Sequence, residues 1–130
     1  MKNDSLKTKE LNDTVWCKLG VSKIEGIGVI AIRDIPKGTE LHCKGDNNLY
    51  EVHYKDFHKI RQEIRDIILA RHPRARDGEP FLSPNGDARM ISFMNHSDNP
   101  NYDKWNDIAL RDIKKDEEIL EDYGEFAKFL

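Results

Sequence analysis

What the chain lacks narrows the field first. It has only two cysteines, Cys17 and Cys43, in 130 residues. They have no metal-ligand spacing and are too few for a disulfide framework, so both are expected as small core residues of a protein kept in a reducing compartment. No apolar run reaches membrane-spanning length, and the polar start Met1-Lys2-Asn3-Asp4-Ser5 has no signal-peptide core, so no membrane partner and an intracellular location, cytoplasmic or nuclear, are expected. There is no basic excess: 21 Lys and Arg stand against 24 Asp and Glu, a formal charge of -3. That balance gives no general attraction to polyanions, and no direct nucleic-acid binding is expected. With 38% hydrophobic and 35% charged residues and a mean hydropathy of -0.75, the composition is that of a globular domain with a strongly charged surface. At this length one fold must supply both core and site.

Along the chain, residues 1–13 are polar and unpatterned, and a flexible N-terminal arm is expected there. Thr14–Val21 and Gly28–Arg33 are rich in β-branched and aromatic residues and read as two strands joined by Glu25-Gly26-Ile27-Gly28. That Gly-x-Gly reads by default as a hairpin turn, although its missing Cβ atoms also allow a ligand to approach the backbone. A turn at Asp34-Ile35-Pro36-Lys37-Gly38 leads to a third expected strand, Thr39–Cys43. Phe57, Ile60, Ile64, Ile67 and Ile68 then recur at helical spacing and predict a single amphipathic helix from about Val52 to Arg71, stopped by Pro73. The charged loop with Arg71, Arg74, Arg76, Asp77 and Glu79 reads as solvated. Arg33-Asp34-Ile35-Pro36-Lys37-Gly38 and Arg111-Asp112-Ile113-Lys114-Lys115-Asp116 resemble each other, but two copies fall short of a repeat architecture.

The abrupt change is at Asn95-His96-Ser97-Asp98-Asn99-Pro100-Asn101, where apolar Met90–Met94 runs into seven polar or turn-forming residues. Such side chains bond to nearby backbone and make an ordered loop, and ordered loops carry sites. A strand at Ile108–Ile113 follows, then Glu117-Glu118-Ile119-Leu120-Glu121-Asp122-Tyr123-Gly124, a charged run ending in a tyrosine between an aspartate and a glycine. By itself Tyr123 reads as a core tyrosine and His96 as a turn histidine.

Taken together and in this order, Gly26-Ile27-Gly28 with Ile35-Pro36-Lys37-Gly38, the Asn95–Asn101 loop and the Glu117–Gly124 segment resemble the SET-domain protein-lysine N-methyltransferases. The resemblance implies a mainly β, β-clip-like fold of several small sheets with one inserted helix and a knot-like C-terminal threading. It places a SET domain over 14–130, with a variable helical insert at about 46–88. It implies S-adenosyl-L-methionine as cofactor, bound by Gly26, Ile27, Gly28, Asn95, His96 and Tyr123, with no metal. Tyr123 is implied as catalytic residue, orienting a neutral lysine amine of a protein or peptide, a histone being the family-level expectation. Glu121, Phe126 and Phe129 are implied around the lysine channel, the two phenylalanines in place of the Cys-rich zinc segment of many relatives.

The departures from the family pattern are Ser92 where Arg is frequent, Asp98 where Cys is frequent, and Glu121 where an aromatic residue stands. A lone carboxylate is rarely buried, so Glu121 is expected at the channel rim, facing solvent. Two other readings compete with the enzyme. One is a non-catalytic SET-like module that binds a lysine-containing peptide. The other is a metal-dependent hydrolase built on His96 with Asp98, Asp103 or Asp107, which has no second histidine cluster to support it. The acceptor lysine, the number of methyl groups and the oligomeric state are not legible in the residues.

Overall fold

The two look-alike stretches lie against each other in the computed structural model, which describes residues 4–46, 48–86 and 89–124. Ile35 and Ile113, both buried, exchange backbone hydrogen bonds at 2.7 and 2.8 Å. Asp34 Oδ1 accepts from the amide of Lys115 at 2.9 Å, and Asp112 Oδ1 accepts from the amide of Lys37 at 2.8 Å. Gly38 and Asp116 hold matching left-handed positions, with φ of 87° and 72°. Each turn is thus capped by the aspartate of the other.

In chain order the elements are α1 (Asp4–Thr14), β1 (Cys17–Val21), β2 (Ile27–Ala31), β3 (Leu49–Tyr50), α2 (Tyr54–Phe57), α3 (Gln62–Arg71), β4 (Phe81–Leu82), β5 (Asn95–His96), β6 (Tyr102–Asp103), β7 (Ile108–Ala109) and β8 (Glu118–Glu121), with 3-10 turns at Ala75–Asp77 and Met90–Phe93. They divide into two compact units, Met1–Val15 with Gly45–Ala88, and Trp16–Lys44 with Arg89–Leu130. No helix among the described residues is long and apolar enough to cross a membrane.

In the first unit the expected arm is a helix. Thr8, Leu11 and Val15, on one face by their spacing, are all buried around and beyond the end of α1, a short apolar signal hidden in a polar stretch. The expected single helix is two, α2 and α3, and α1 supplies the reason. Asn12 donates from Nδ2 to Lys59 O at 2.8 Å and accepts the Arg61 amide on Oδ1 at 2.7 Å. One side chain therefore satisfies both sides of the break, where Arg61 is extended at ψ 143°. Phe57, Ile60, Ile64 and Ile68 are buried as their spacing requires, and α3 ends at Arg71, before Pro73. β3 and β4 pair antiparallel, stacking Tyr50 on Phe81 at 6.0 Å. Arg74 pairs with Glu79 at 3.1 Å in the solvated loop.

The second unit is built on a four-stranded sheet in the order β1-β2-β8-β5. β1, β2 and β8 run antiparallel, whereas β5 lies parallel to β8 with Asn95 opposite Leu120 and His96 opposite Glu121. Cys17, Val29, Ala31, Met94 and Ile119 pack in its core with Cys43, and both cysteines are free thiols. The expected third strand shrinks to a single bridge, Glu40 with Ile108. His42 turns left-handed at φ 56°, and the amides of Leu41 and Cys43 bond to the backbone and side chain of Asp107 instead of to a strand.

What fixes β8 is Asn101, 1% exposed. Its Nδ2 donates to Glu118 O at 2.8 Å and Glu117 Oε2 at 3.1 Å, and its Oδ1 accepts the Leu120 amide at 2.8 Å. Its own N–H reaches Leu120 O, and its carbonyl takes the Leu110 amide. Every polar atom of the residue is engaged, so truncation strands several buried groups. Asn101→Ala is expected to lower unfolding free energy by about 2–4 kcal/mol in denaturant titration, whereas Asn99→Ala, on an exposed side chain of the same loop, stays within about 0.5 kcal/mol.

Candidate functional site

Of the residues singled out in the sequence, Gly26, Ile27, Gly28, Asn95, His96, Glu121 and Tyr123 all fall in the second unit, on or beside the neighbouring strands β2, β8 and β5. Phe126 and Phe129 lie outside the described residues.

The β1–β2 turn is closed by Ser22 N–H on Gly26 O at 2.8 Å, while Ser22 Oγ accepts the amides of Ile24 and Glu25 at 2.9 and 3.1 Å. Gly26 sits at φ 52°, the left-handed conformation a Gly-x-Gly turn needs. Gly28 is required for another reason: a Cβ there would stand 2.6 Å from Glu118 Oε2. The space left by its missing side chain is occupied by a carboxylate.

That carboxylate organises one end of the site. Ser22 Oγ donates to Glu118 at 2.8 and 2.9 Å, and Asn95 Nδ2 donates to Glu118 Oε2 at 2.9 Å. Asn95 Nδ2 also lies 3.0 Å from Ser22 Oγ, 3.2 Å from Glu25 O and 3.3 Å from Ile27 O. With every neighbour an acceptor, or a hydroxyl able to accept, the amide orientation is fixed. Its Oδ1 accepts no hydrogen bond among the described residues, so Asn95 presents an acceptor to any ligand, suited to an ammonium or an N–H.

The other end is built on His96 and Tyr123. Tyr123 N–H donates to His96 Nδ1 at 3.0 Å, which places the neutral ring's proton on Nε2, 2.9 Å from Asp98 Oδ1. The two rings lie 5.2 Å apart. Both nitrogens of His96 are engaged within the protein, so its side chain holds Tyr123 in place. Tyr123 Oη donates to Met94 O at 2.5 Å. Burial, then the nearby carboxylates of Glu121 and Glu25, hold the phenol above its usual range. It is a neutral hydroxyl whose hydrogen is committed and whose lone pairs remain to accept.

Glu121, expected at a channel rim, is partly exposed at the end of β8. It alternates with Ile119 along β8, on the same face, and its charge bears on the Tyr123 phenol two residues on. The side chain is half-buried, with Oε2 out of solvent contact and no hydrogen bond or ion pair from the carboxylate among the described residues. Burial pushes its carboxyl above the ordinary range, Lys104 opposes the rise and Asp122 adds to it.

The residues proposed for a metal do not converge. Asp103 caps its own turn through the amides of Trp105 and Asn106, and Asp107 accepts from Tyr102 Oη at 2.5 Å. No three His, Cys, Asp or Glu side chains form a metal-binding group among the described residues. Ser22, Glu118 and Asn101 were missed by motif reading. Glu118 and Asn101 stood inside the recognised segments, but only the fold shows which atoms they hold.

The SET domain profile matches residues 46–124, more than half of the chain. The chain belongs to the SET-domain family. No curated protein matches the sequence. Among solved structures, this SET-domain chain is similar to a humanized mutant of the Chaetomium thermophilum Polycomb Repressive Complex 2, at 19% identity over 86% of its length with a TM-score of 0.46. It spans only 15% of that chain. It is also similar to a Plasmodium falciparum protein provisionally described as a histone methyltransferase, at 20% identity, covering 86% of this chain and 96% of that one, with a TM-score of 0.40.

Two outcomes follow from this geometry. Gly28→Ala drives a methyl group into Glu118 and is expected to cost about 1–3 kcal/mol in denaturant unfolding. In a double-mutant cycle with Glu118→Ala the two losses should add to less than their sum, because the second change removes the obstacle. For Glu121, a folded-state carboxyl raised above its unfolded value contributes stability below the unfolded pKa and loses it as pH rises through the folded one. Glu121→Gln is therefore expected to raise Tm at about pH 7.5 and leave it unchanged at about pH 3.5, where both states carry the proton.

Proposed function

We propose that this SET-domain chain is a methyltransferase that uses S-adenosyl-L-methionine to methylate a lysine side-chain amine of a protein or peptide. The observation that carries the reading is the joining, through the β5–β8 pairing, of an open acceptor at Asn95 Oδ1 and a fixed phenol at Tyr123 in a SET-domain chain. The cofactor, when bound, supplies a methyl group already activated on a positively charged sulfur.

The residues fit it. Asn95 Oδ1, held outward by Ser22 and Glu118, suits the α-ammonium of the cofactor's amino-acid end, and Gly26 lets the turn backbone lie close. His96 keeps Tyr123 beside that end through the Tyr123 amide. The Tyr123 oxygen, its own hydrogen committed to Met94, accepts from the lysine nitrogen and aligns its lone pair with the methyl group. Because the phenol stays neutral, its part is orientation and not proton removal. An intracellular location belongs to the proposal too, in keeping with the two buried free thiols.

Calorimetry with S-adenosyl-L-methionine tests the first half. Asn95→Ala is expected to weaken binding by about 1.5–3 kcal/mol, the loss of a hydrogen bond to a charged group. Equal affinity in a folded variant would remove Asn95 from the cofactor site. Mass spectrometry of histones and other candidate proteins incubated with isotopically labelled cofactor tests the second half. Tyr123→Phe should reduce methyl transfer about 10²- to 10⁴-fold while cofactor affinity stays within about twofold. Cofactor-independent peptide binding with no transfer to any acceptor would favour the non-catalytic module.

A further inference from the structure

The cofactor end and the phenol leave one chemical task unassigned. A lysine side chain arrives in water as an ammonium, and nitrogen cannot take a methyl group until it has lost a proton. Tyr123 is not equipped to remove it, since its phenol is neutral and held above the usual range. His96 has Nδ1 occupied by the Tyr123 amide and Nε2 turned to Asp98.

Glu121 stands two residues before Tyr123, near enough for its charge to bear on the phenol, with a carboxylate that bonds to nothing among the described residues. A half-buried carboxylate left without donors calls for an explanation, because burial of an unpaired charge is costly. We propose that Glu121 receives the substrate lysine as an ammonium and takes one proton from it before methyl transfer. This rests on the methyltransferase reading above and names how its substrate is recognised and activated.

The step balances. The ammonium N–H bond breaks, its electron pair stays on nitrogen, and the proton goes to a Glu121 carboxylate oxygen. The amine lone pair then forms the nitrogen–carbon bond while the methyl group's bond to sulfur breaks with its electrons left on sulfur. The product is a methylammonium, and Glu121 returns its proton to water. The groups around Glu121 are consistent with a carboxylate that holds a proton transiently. Burial and Asp122 raise its pKa, whereas Lys104 beside β6 restrains the rise; His96 on β5 faces it as a neutral ring, its Nδ1 taken by the Tyr123 amide. Tyr102 and Tyr123, which also sense its charge, are phenols held above their usual range. Lys104 is drawn elsewhere, with Nζ on Asp122 O at 2.6 Å, and leaves the carboxylate without an ion pair.

The test uses the full chain and n-butylammonium, the lysine side chain without its backbone, with 1-pentanol as the uncharged comparison. The Glu121 carboxyl carbon is followed by NMR through a pH titration and assigned by its loss in Glu121→Gln. Its midpoint should lie above the ordinary glutamate range, and saturating n-butylammonium should lower it by about one unit while 1-pentanol does not. Glu121→Gln should weaken n-butylammonium binding, read from the Tyr123 ring signals, by about tenfold. An ordinary midpoint indifferent to n-butylammonium, or undiminished binding in the Gln variant, overturns the proposal. In methyl transfer, the acid limb of kcat/KM against pH should disappear in Glu121→Gln and persist, shifted, in Glu121→Asp; an unchanged limb in both also overturns it. The two readings fail separately. Ammonium binding through Glu121 without methyl transfer defeats the enzyme reading, and transfer without Glu121-dependent binding defeats this one.

Discussion

The site depends on one buried amide. Asn101 bonds along one edge of the backbone at Glu118 and Leu120, and by doing so fixes how far β8 has advanced along the sheet before it reaches Glu121 and Tyr123. A strand slipped by one residue would turn Ile119, Glu121 and Tyr123 to the other face together. Short strands are poor at defending register, and β8 pairs with β5 over only two residues. A fully satisfied side chain between the loop and the strand supplies the definition that the ladder alone is too short to give.

The two ends of the site are stiffened differently. Near the β1–β2 turn a charge is held by neutral donors, Ser22 and Asn95, and the absent Cβ of Gly28 leaves room for it. Near the C-terminal end of β8 an imidazole held by Asp98 and a phenol each have a defined hydrogen position, and the Glu121 carboxylate beside them has no partner within the described residues. The first end is complete within the protein except for a single acceptor. The second keeps an unmet electrostatic demand.

Much of this was legible in the residues. The order of the three motifs, the buried cysteines, the two strands around Gly26 and Gly28 and the stop before Pro73 follow from local chemistry, and local chemistry is what a sequence displays. The failures have a common cause in distance. The helix over residues 52–71 breaks because Asn12, far away in sequence, offers an acceptor to Arg61 and a donor to Lys59. Thr39–Cys43 alternates like a strand, but Asp107 takes its amides. Helix α1 is hidden because its buried face is only Thr8, Leu11 and the following Val15. Asn95 and His96 are legible as candidates from their loop, yet the atoms they offer depend on Ser22, Glu118 and Asp98, which no spacing rule connects to them.

The reciprocal capping of the two turns bears on how much variation the chain between them can absorb. Asp34 reaches Lys115 and Asp112 reaches Lys37 across separations of 81 and 75 residues. Once such contacts close a loop that long, the entropy of closure changes only with the logarithm of its length, about 0.6 kcal/mol for each doubling. Residues 45–88, which lie inside that loop and form most of a separate unit, could therefore be lengthened or shortened substantially without loosening the clasp. The same arithmetic makes the clasp slow to find, because a contact between distant segments has to be searched for before it can hold.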